Sequence, residues 1–119
     1  MTESKLVEYL SDLVAINSVN PNLSSQGQGE QEIAEYIHSH FQRLGFNTSL
    51  FEVVKDRCNT TSFLPGDKPS KVLLMNGHID TVGIEDMDSP FVLRKDGDRL
   101  YGRGAYDMLA GCAIQMCLA

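Results

Sequence analysis

Tryptophan is absent from this 119-residue chain, and cysteine, proline and long apolar runs are scarce. Each scarcity excludes something. The three cysteines, Cys58, Cys112 and Cys117, are odd in number and form no Cys-x-x-Cys pair. That removes a disulfide framework and points to a reducing, cytoplasmic compartment. Cys112 and Cys117 lie among small and apolar residues, where a buried thiol is the ordinary outcome. No apolar run approaches the roughly 20 residues of a bilayer span. The amino terminus, MTESKLVEYL, lacks the basic-then-apolar order of a secretory signal. No lysine- or arginine-dense tract offsets the net charge of −6, so neither nucleic acid nor an anionic membrane is the expected partner.

What is present is a foldable pattern. Hydrophobic residues make up 42% of the chain, enough for one packed domain without low-complexity tracts. Leu6, Leu10, Leu13 and Val14 recur at helical spacing and predict a helix over residues 3–16, with Thr2 as its N-cap. The stretch NSVNPNLSSQGQGE reads as a loop. Ile33, Ile37, Phe41 and Leu44 form the stripe of a second helix over residues 30–44, stopped by Gly45. His38 and His40 on that helix point about 200° apart. They cannot chelate one ion together and read as surface or boundary residues.

The period then changes. FNTSLFEVV and NTTSFL read as strands joined by a polar turn, and PGDKPS as a loop. KVLLMN is continuously apolar at its centre, as a strand covered on both faces would be. GIEDMDSP is an acidic loop, in which Glu85, Asp86 and Asp88 read as solvated. FVLRKDGDRLYG resembles a hairpin turning at Asp96-Gly97, and residues 107–119 look helical. The pattern points to an α/β sandwich, whose ligands gather at the carboxyl ends of strands.

His78 and Asp80 stand at one such end, in LLMNGHIDTV. Side chains two apart on an extended segment share a face. A metal-binding imidazole needs its second N–H held, and a neighbouring carboxylate does that. A satisfied buried pair that merely closes the strand is the competing reading. Downstream, YGRGAYDMLAG places Asp107 after a tight Gly102/Gly104 turn. The dinucleotide fingerprint would need glycine at position 107, and the phosphate-loop lysine is missing, so a nucleotide site is excluded. Asp107 could cap a helix, or its two oxygens could bridge two cations. Arg103, beside the turn, reads as structural.

LLMNGHIDTV followed by PF, DG and LYGRGAYDMLAG resembles the family of dinuclear zinc aminoacylases and peptidases, which includes acetylornithine deacetylase, succinyl-diaminopimelate desuccinylase and the carboxypeptidase G type. INSVNP resembles the loop that follows the family's first helix. The resemblance implies a zinc-hydrolase-like α/β fold, a three-layer sandwich around a mixed, largely parallel sheet. It implies that residues 1–119 are the amino-terminal part of the catalytic domain, without the lid and dimerisation domain, and that the full-length protein forms a homodimer. His78 would be a metal ligand, Asp107 a carboxylate bridging both metals, and Asp80 a contributor to catalysis that orients His78. The Asp107-Met108 peptide would be cis. Two Zn2+ ions, with Co2+ or Mn2+ as substitutes, would serve an amide hydrolysis in which water held between the metals attacks a small N-acyl amino acid or peptide. The general-base glutamate and the remaining ligands would lie past Ala119, so residues 1–119 alone would bind zinc poorly. Leu109-Ala110 departs from the family's usual Lys-Gly and leaves the substrate open. The alternative is a non-catalytic binding protein on the same fold, with an incomplete metal site.

Overall fold

The computed structural model describes residues 2–67 and 71–119. Helix α1 runs Glu3–Ala15, and the Thr2 hydroxyl accepts from the Lys5 N–H at 3.3 Å as its cap. Helix α2 runs Gln31–Arg43. Strands β1, Asn47–Val54, and β2, Arg57–Phe63, form an antiparallel hairpin. Strands β3, Arg94–Asp96, and β4, Arg99–Tyr101, form a second, turning at Gly97 with a φ of 59°. Helix α3, Ala110–Leu118, closes the described chain. The expected helices and both hairpins are therefore present, within a residue or two at most ends.

The core lies between helices. Leu10, Leu13 and Val14 of α1 meet Ile33 and Ile37 of α2 and Leu109, Cys112, Ala113 and Met116 at and within α3. Burying side chains of this size is worth about 1.5–3 kcal/mol each. The stripes read from the sequence face this core, with Leu6 and Phe41 half-buried at its edge; Leu44 and His40 depart from the reading. Leu44 is 48% exposed, because the chain turns away at Gly45. His40, expected at the surface, is 5% exposed. Its ring packs edge-on between Tyr9 and Phe41, and Nε2 lies 3.3 Å from the Met116 carbonyl. Burial holds its pKa below the ordinary histidine value. His38 is half-buried, as expected of a boundary residue.

The described residues form an α/β arrangement with two separate two-stranded antiparallel sheets. The expected three-layer sandwich with a mixed, largely parallel sheet is not formed by them. Residues 71–76, read as a strand covered on both faces, join no ladder among the described residues, and Leu73 and Leu74 are 85% and 81% exposed. Parallel pairing among the described residues is confined to one bridge, Val19 with Thr81. The loop expected at residues 65–70 lies partly outside the described residues. The last helix also begins later than residue 107, since Asp107 and Met108 have non-helical φ/ψ and turn the chain before Ala110.

Candidate metal centre

Residues 76–78 are anchored by the far end of the chain rather than by a sheet. The Gln115 side-chain amide donates to the Asn76 carbonyl at 3.2 Å. The His78 N–H points at Met108 Sδ at 3.4 Å, and Cys112 Sγ donates to the His78 carbonyl at 3.4 Å. Burial pushes the Cys112 thiol up to about 11, so it serves here as a neutral donor. Gly77 lets the two segments approach closely: a Cβ there would stand 2.8 Å from Met108 Cε, so the methionine side chain would have to shift.

The chain then continues through Asp80 into the Val19–Thr81 bridge. The Thr81 N–H donates to the Ser18 carbonyl at 3.0 Å, and the Asn20 N–H to the Thr81 carbonyl at 2.8 Å. From the other side comes the Gly102–Leu109 turn. Gly104 has a φ of 76°, a backbone state that costs other residues about 1–2 kcal/mol. The Leu109 N–H closes the turn onto the Gly104 carbonyl at 2.9 Å. Asp107 stands at its crest, 79% exposed, and its peptide bond to Met108 is cis.

These two segments bring three of the singled-out side chains together. His78 Nε2 lies 2.9 Å from Asp107 Oδ1. His78 Nδ1 lies 3.2 Å from the Asp80 main-chain carbonyl and 3.3 Å from Asp80 Oδ1. The orienting contact expected of the Asp80 carboxylate is thus shared with its own backbone oxygen. Both ring nitrogens face acceptors, which favours the doubly protonated, cationic ring. Burial works against that charge. The hydrogen bonds to Asp107 and the Asp80 carbonyl, with both carboxylate charges, outweigh it and hold the His78 pKa above its ordinary value. The edge between Nε2 and Oδ1 is therefore a place where positive charge is favoured, held there by a proton.

A metal could take the place of that proton. An imidazole nitrogen and a carboxylate oxygen are ordinary zinc donors, and their convergence from positions 29 apart in sequence fits such a role. Among the described residues no group of three or more histidine, cysteine, aspartate or glutamate side chains converges to hold a metal. His78 and Asp107 supply a partial donor set.

The other candidates take structural posts. The acidic loop is tied down: Ser24 Oγ donates to Glu85, holding that carboxyl below its usual range, and Arg103 donates to Asp86 at 2.8 Å. Asn20, not singled out by sequence reasoning, donates from Nδ2 to Asp80 Oδ2 at 2.9 Å. The Asn-Pro turn signal was visible, but nothing local marks its contact 60 residues away.

Residues 74–119 match the model of peptidase family M20/M25/M40. The resemblance is to that family. The matched stretch contains His78, Asp80 and Asp107, the residues on which the likeness was drawn. Curated relatives align over almost the whole chain. A Staphylococcus aureus protein named "Probable succinyl-diaminopimelate desuccinylase" is 27% identical over 92% of this chain and 26% of its own length. A Staphylococcus epidermidis protein of the same name is 28% identical over 93% of the chain and 26% of its length. The N-formyl-4-amino-5-aminomethyl-2-methylpyrimidine deformylase of Halalkalibacterium halodurans is 26% identical over 93% and 26%. The chain thus spans about a quarter of the length of the curated relatives it matches. Among the described residues, no helix is long and apolar enough to cross a membrane.

Proposed function

We propose that residues 1–119 are the amino-terminal part of the catalytic domain of a zinc-dependent amidohydrolase that cleaves an amide bond in a small N-acyl amino acid or peptide. The single observation that carries the reading is the meeting of His78 Nε2 and Asp107 Oδ1 at 2.9 Å, with Asp80 behind the ring. The names of the relatives support the reaction class, since a desuccinylase and a deformylase each remove an acyl group. Zinc held between these side chains would supply Lewis-acid polarisation of the scissile carbonyl and a more acidic water. Cobalt or manganese would serve in the same way.

Each residue then has a part. His78 would present Nε2 to the cation, with its Nδ1 held against the Asp80 oxygens. Asp107, which meets His78 Nε2 through Oδ1, would be the carboxylate shared between the cations. Asp80 fixes the ring plane and strengthens the imidazole as a donor. The general base, the further ligands, and the lid and dimerisation domain belong to other parts of the complete protein. The same reading gives exposed residues 72–74 a place as a strand of the larger, largely parallel sheet of the three-layer sandwich.

The test is hydrolysis of a panel of N-acyl amino acids and dipeptides by the complete protein, with and without chelator, alongside zinc analysis. Chelator-sensitive hydrolysis that falls more than about 100-fold in His78→Ala and Asp107→Ala is expected. Zinc content unchanged in both variants would refute the site.

A further inference from the structure

The loop between α1 and α2 reaches the candidate centre at a single side chain, Asn20. Its backbone is set in register by the hydrogen bonds on either side of the Val19–Thr81 bridge. Its side chain is set by a turn. Asn20 Oδ1 accepts from the Asn22 N–H at 2.9 Å, an Asx turn in which Pro21 supplies the fixed φ. The Asn20 carbonyl accepts from the N–H groups of Leu23 and Ser24 at 3.0 and 3.2 Å, which closes the turn further. With the amide oxygen committed to Asn22, the amide nitrogen must face the other way. It meets Asp80 Oδ2 at 2.9 Å.

The two oxygens of Asp80 are therefore divided, Oδ2 to Asn20 and Oδ1 to His78 Nδ1 at 3.3 Å. A carboxylate rotates about its last torsion in a broad well. The His78 contact alone is long and would not hold it. The Asn20 amide supplies the second point that defines its plane.

We propose that Asn20 is a positioning residue for the metal centre: it clamps the Asp80 carboxylate so that its other oxygen holds His78 with Nε2 turned towards the cation. The inference rests on the metal-site reading above. It assigns work to a residue outside the matched family stretch and outside the metal's own ligands.

Asn20→Asp separates the two jobs of the side chain. Aspartate keeps an oxygen for the Asn22 N–H, so the turn survives, but it sets a carboxylate against a carboxylate where the amide donated. Zinc affinity of the complete protein, measured by competition with a chromophoric chelator, should fall about tenfold, the lower end for residues that orient ligands. The thermal midpoint should move little. Asn20→Ser, whose hydroxyl can still close the turn but falls short of Asp80, should give a loss in the same direction and serves if the aspartate variant does not fold. If Asn20 acts through Asp80, the Asn20→Ser effect vanishes in an Asp80→Ala background, an outcome a purely structural loop role would not give. Zinc affinity within twofold of wild type in both Asn20 variants, while His78→Ala loses it, overturns the positioning role. Unchanged affinity in His78→Ala overturns the metal site itself.

Discussion

Gly104→Ala should damage the protein more than its backbone angle alone requires, and the larger part of the excess can be assigned to one methyl group. Gly104 and Gly97 both have positive φ, 76° and 59°. Alanine at either position costs about 1–2 kcal/mol for the left-handed conformation, and both substitutions gain the same small benefit from a stiffer unfolded chain. Their surroundings differ. A Cβ on Gly97 meets nothing within 4 Å, whereas one on Gly104 overlaps the γ-methyl of Thr81 and stands 3.0 Å from Leu109 Cδ1. Thr81 and Leu109 are 5% and 1% exposed, so neither can swing into solvent. Overpacking of this kind costs about 1–3 kcal/mol. Gly104→Ala is therefore expected to lower the unfolding free energy by about 2–5 kcal/mol, against about 1–2 kcal/mol for Gly97→Ala.

Urea unfolding of the two variants measures that difference, and Thr81→Ser tests its cause. The serine deletes only the overlapping methyl, at a cost of its own of about 0.5–1.5 kcal/mol. In its presence Gly104→Ala should recover about 1–2 kcal/mol, a coupling typical of residues in contact. The relief is partial because Leu109 Cδ1 remains. Equal losses at Gly97 and Gly104, or no coupling to Thr81, would refute the argument. A kept fold with weakened zinc binding would show that the strain had moved Asp107.

Two further predictions concern pH. On the proposed metal-site reading, zinc would have to displace a proton from the His78 ring, whose pKa is held above its ordinary value by hydrogen bonds and carboxylate charges that outweigh burial. Zinc affinity should then fall about tenfold per pH unit below the folded His78 pKa; chelator competition between pH 5 and 8 measures the slope, and a flat profile removes His78 from the ligand set. Burial, followed by the hydrogen bond to Asp12 at 2.6 Å, raises the Tyr36 phenol above its usual value. The folded state therefore keeps a proton that the unfolded state loses. Stability should be whole below about pH 10 and decline as pH rises beyond it. Tyr36→Phe should abolish that decline, and a wild-type curve flat above pH 10 would contradict the linkage.

Much of this was legible in the sequence, wherever the signal was local. Leu10, Leu13, Ile33 and Ile37 carry their helices' inner faces in their own spacing. Thr2 and Gly97 announce a cap and a turn. His78, Asp80 and Asp107 are marked by residue type and by the glycines around them. The failures share a cause, which is a partner far along the chain. Nothing near His40 tells of Tyr9 or of the Met116 carbonyl that accompany its burial. KVLLMN has the composition of a covered strand, but composition states what a segment can bury and not what covers it. Asn20 reads as an ordinary turn former, and that is half of what it does.

The Val19–Thr81 bridge is the step on which the candidate centre depends most. On an extended segment, successive side chains point to opposite sides, so a slip of one residue exchanges the two sides completely. In the register observed, Ile79 packs against the core and Thr81 is buried under the Gly104 turn, while His78 meets Asp107 and Asp80 meets His78. A one-residue slip would drive an imidazole and a carboxylate into the apolar cluster and expose Ile79. That cost selects the register more strongly than the bridge's own hydrogen bonds, each worth only about 1 kcal/mol net. The pull of Ile79 and Thr81 inward is thus what turns His78 and Asp80 outward. The same register brings the Asn20 amide beside Asp80. The polar centre is positioned by the apolar residues interleaved with it, and on the proposed metal-site reading substitutions at Ile79 should weaken zinc binding without touching any donor.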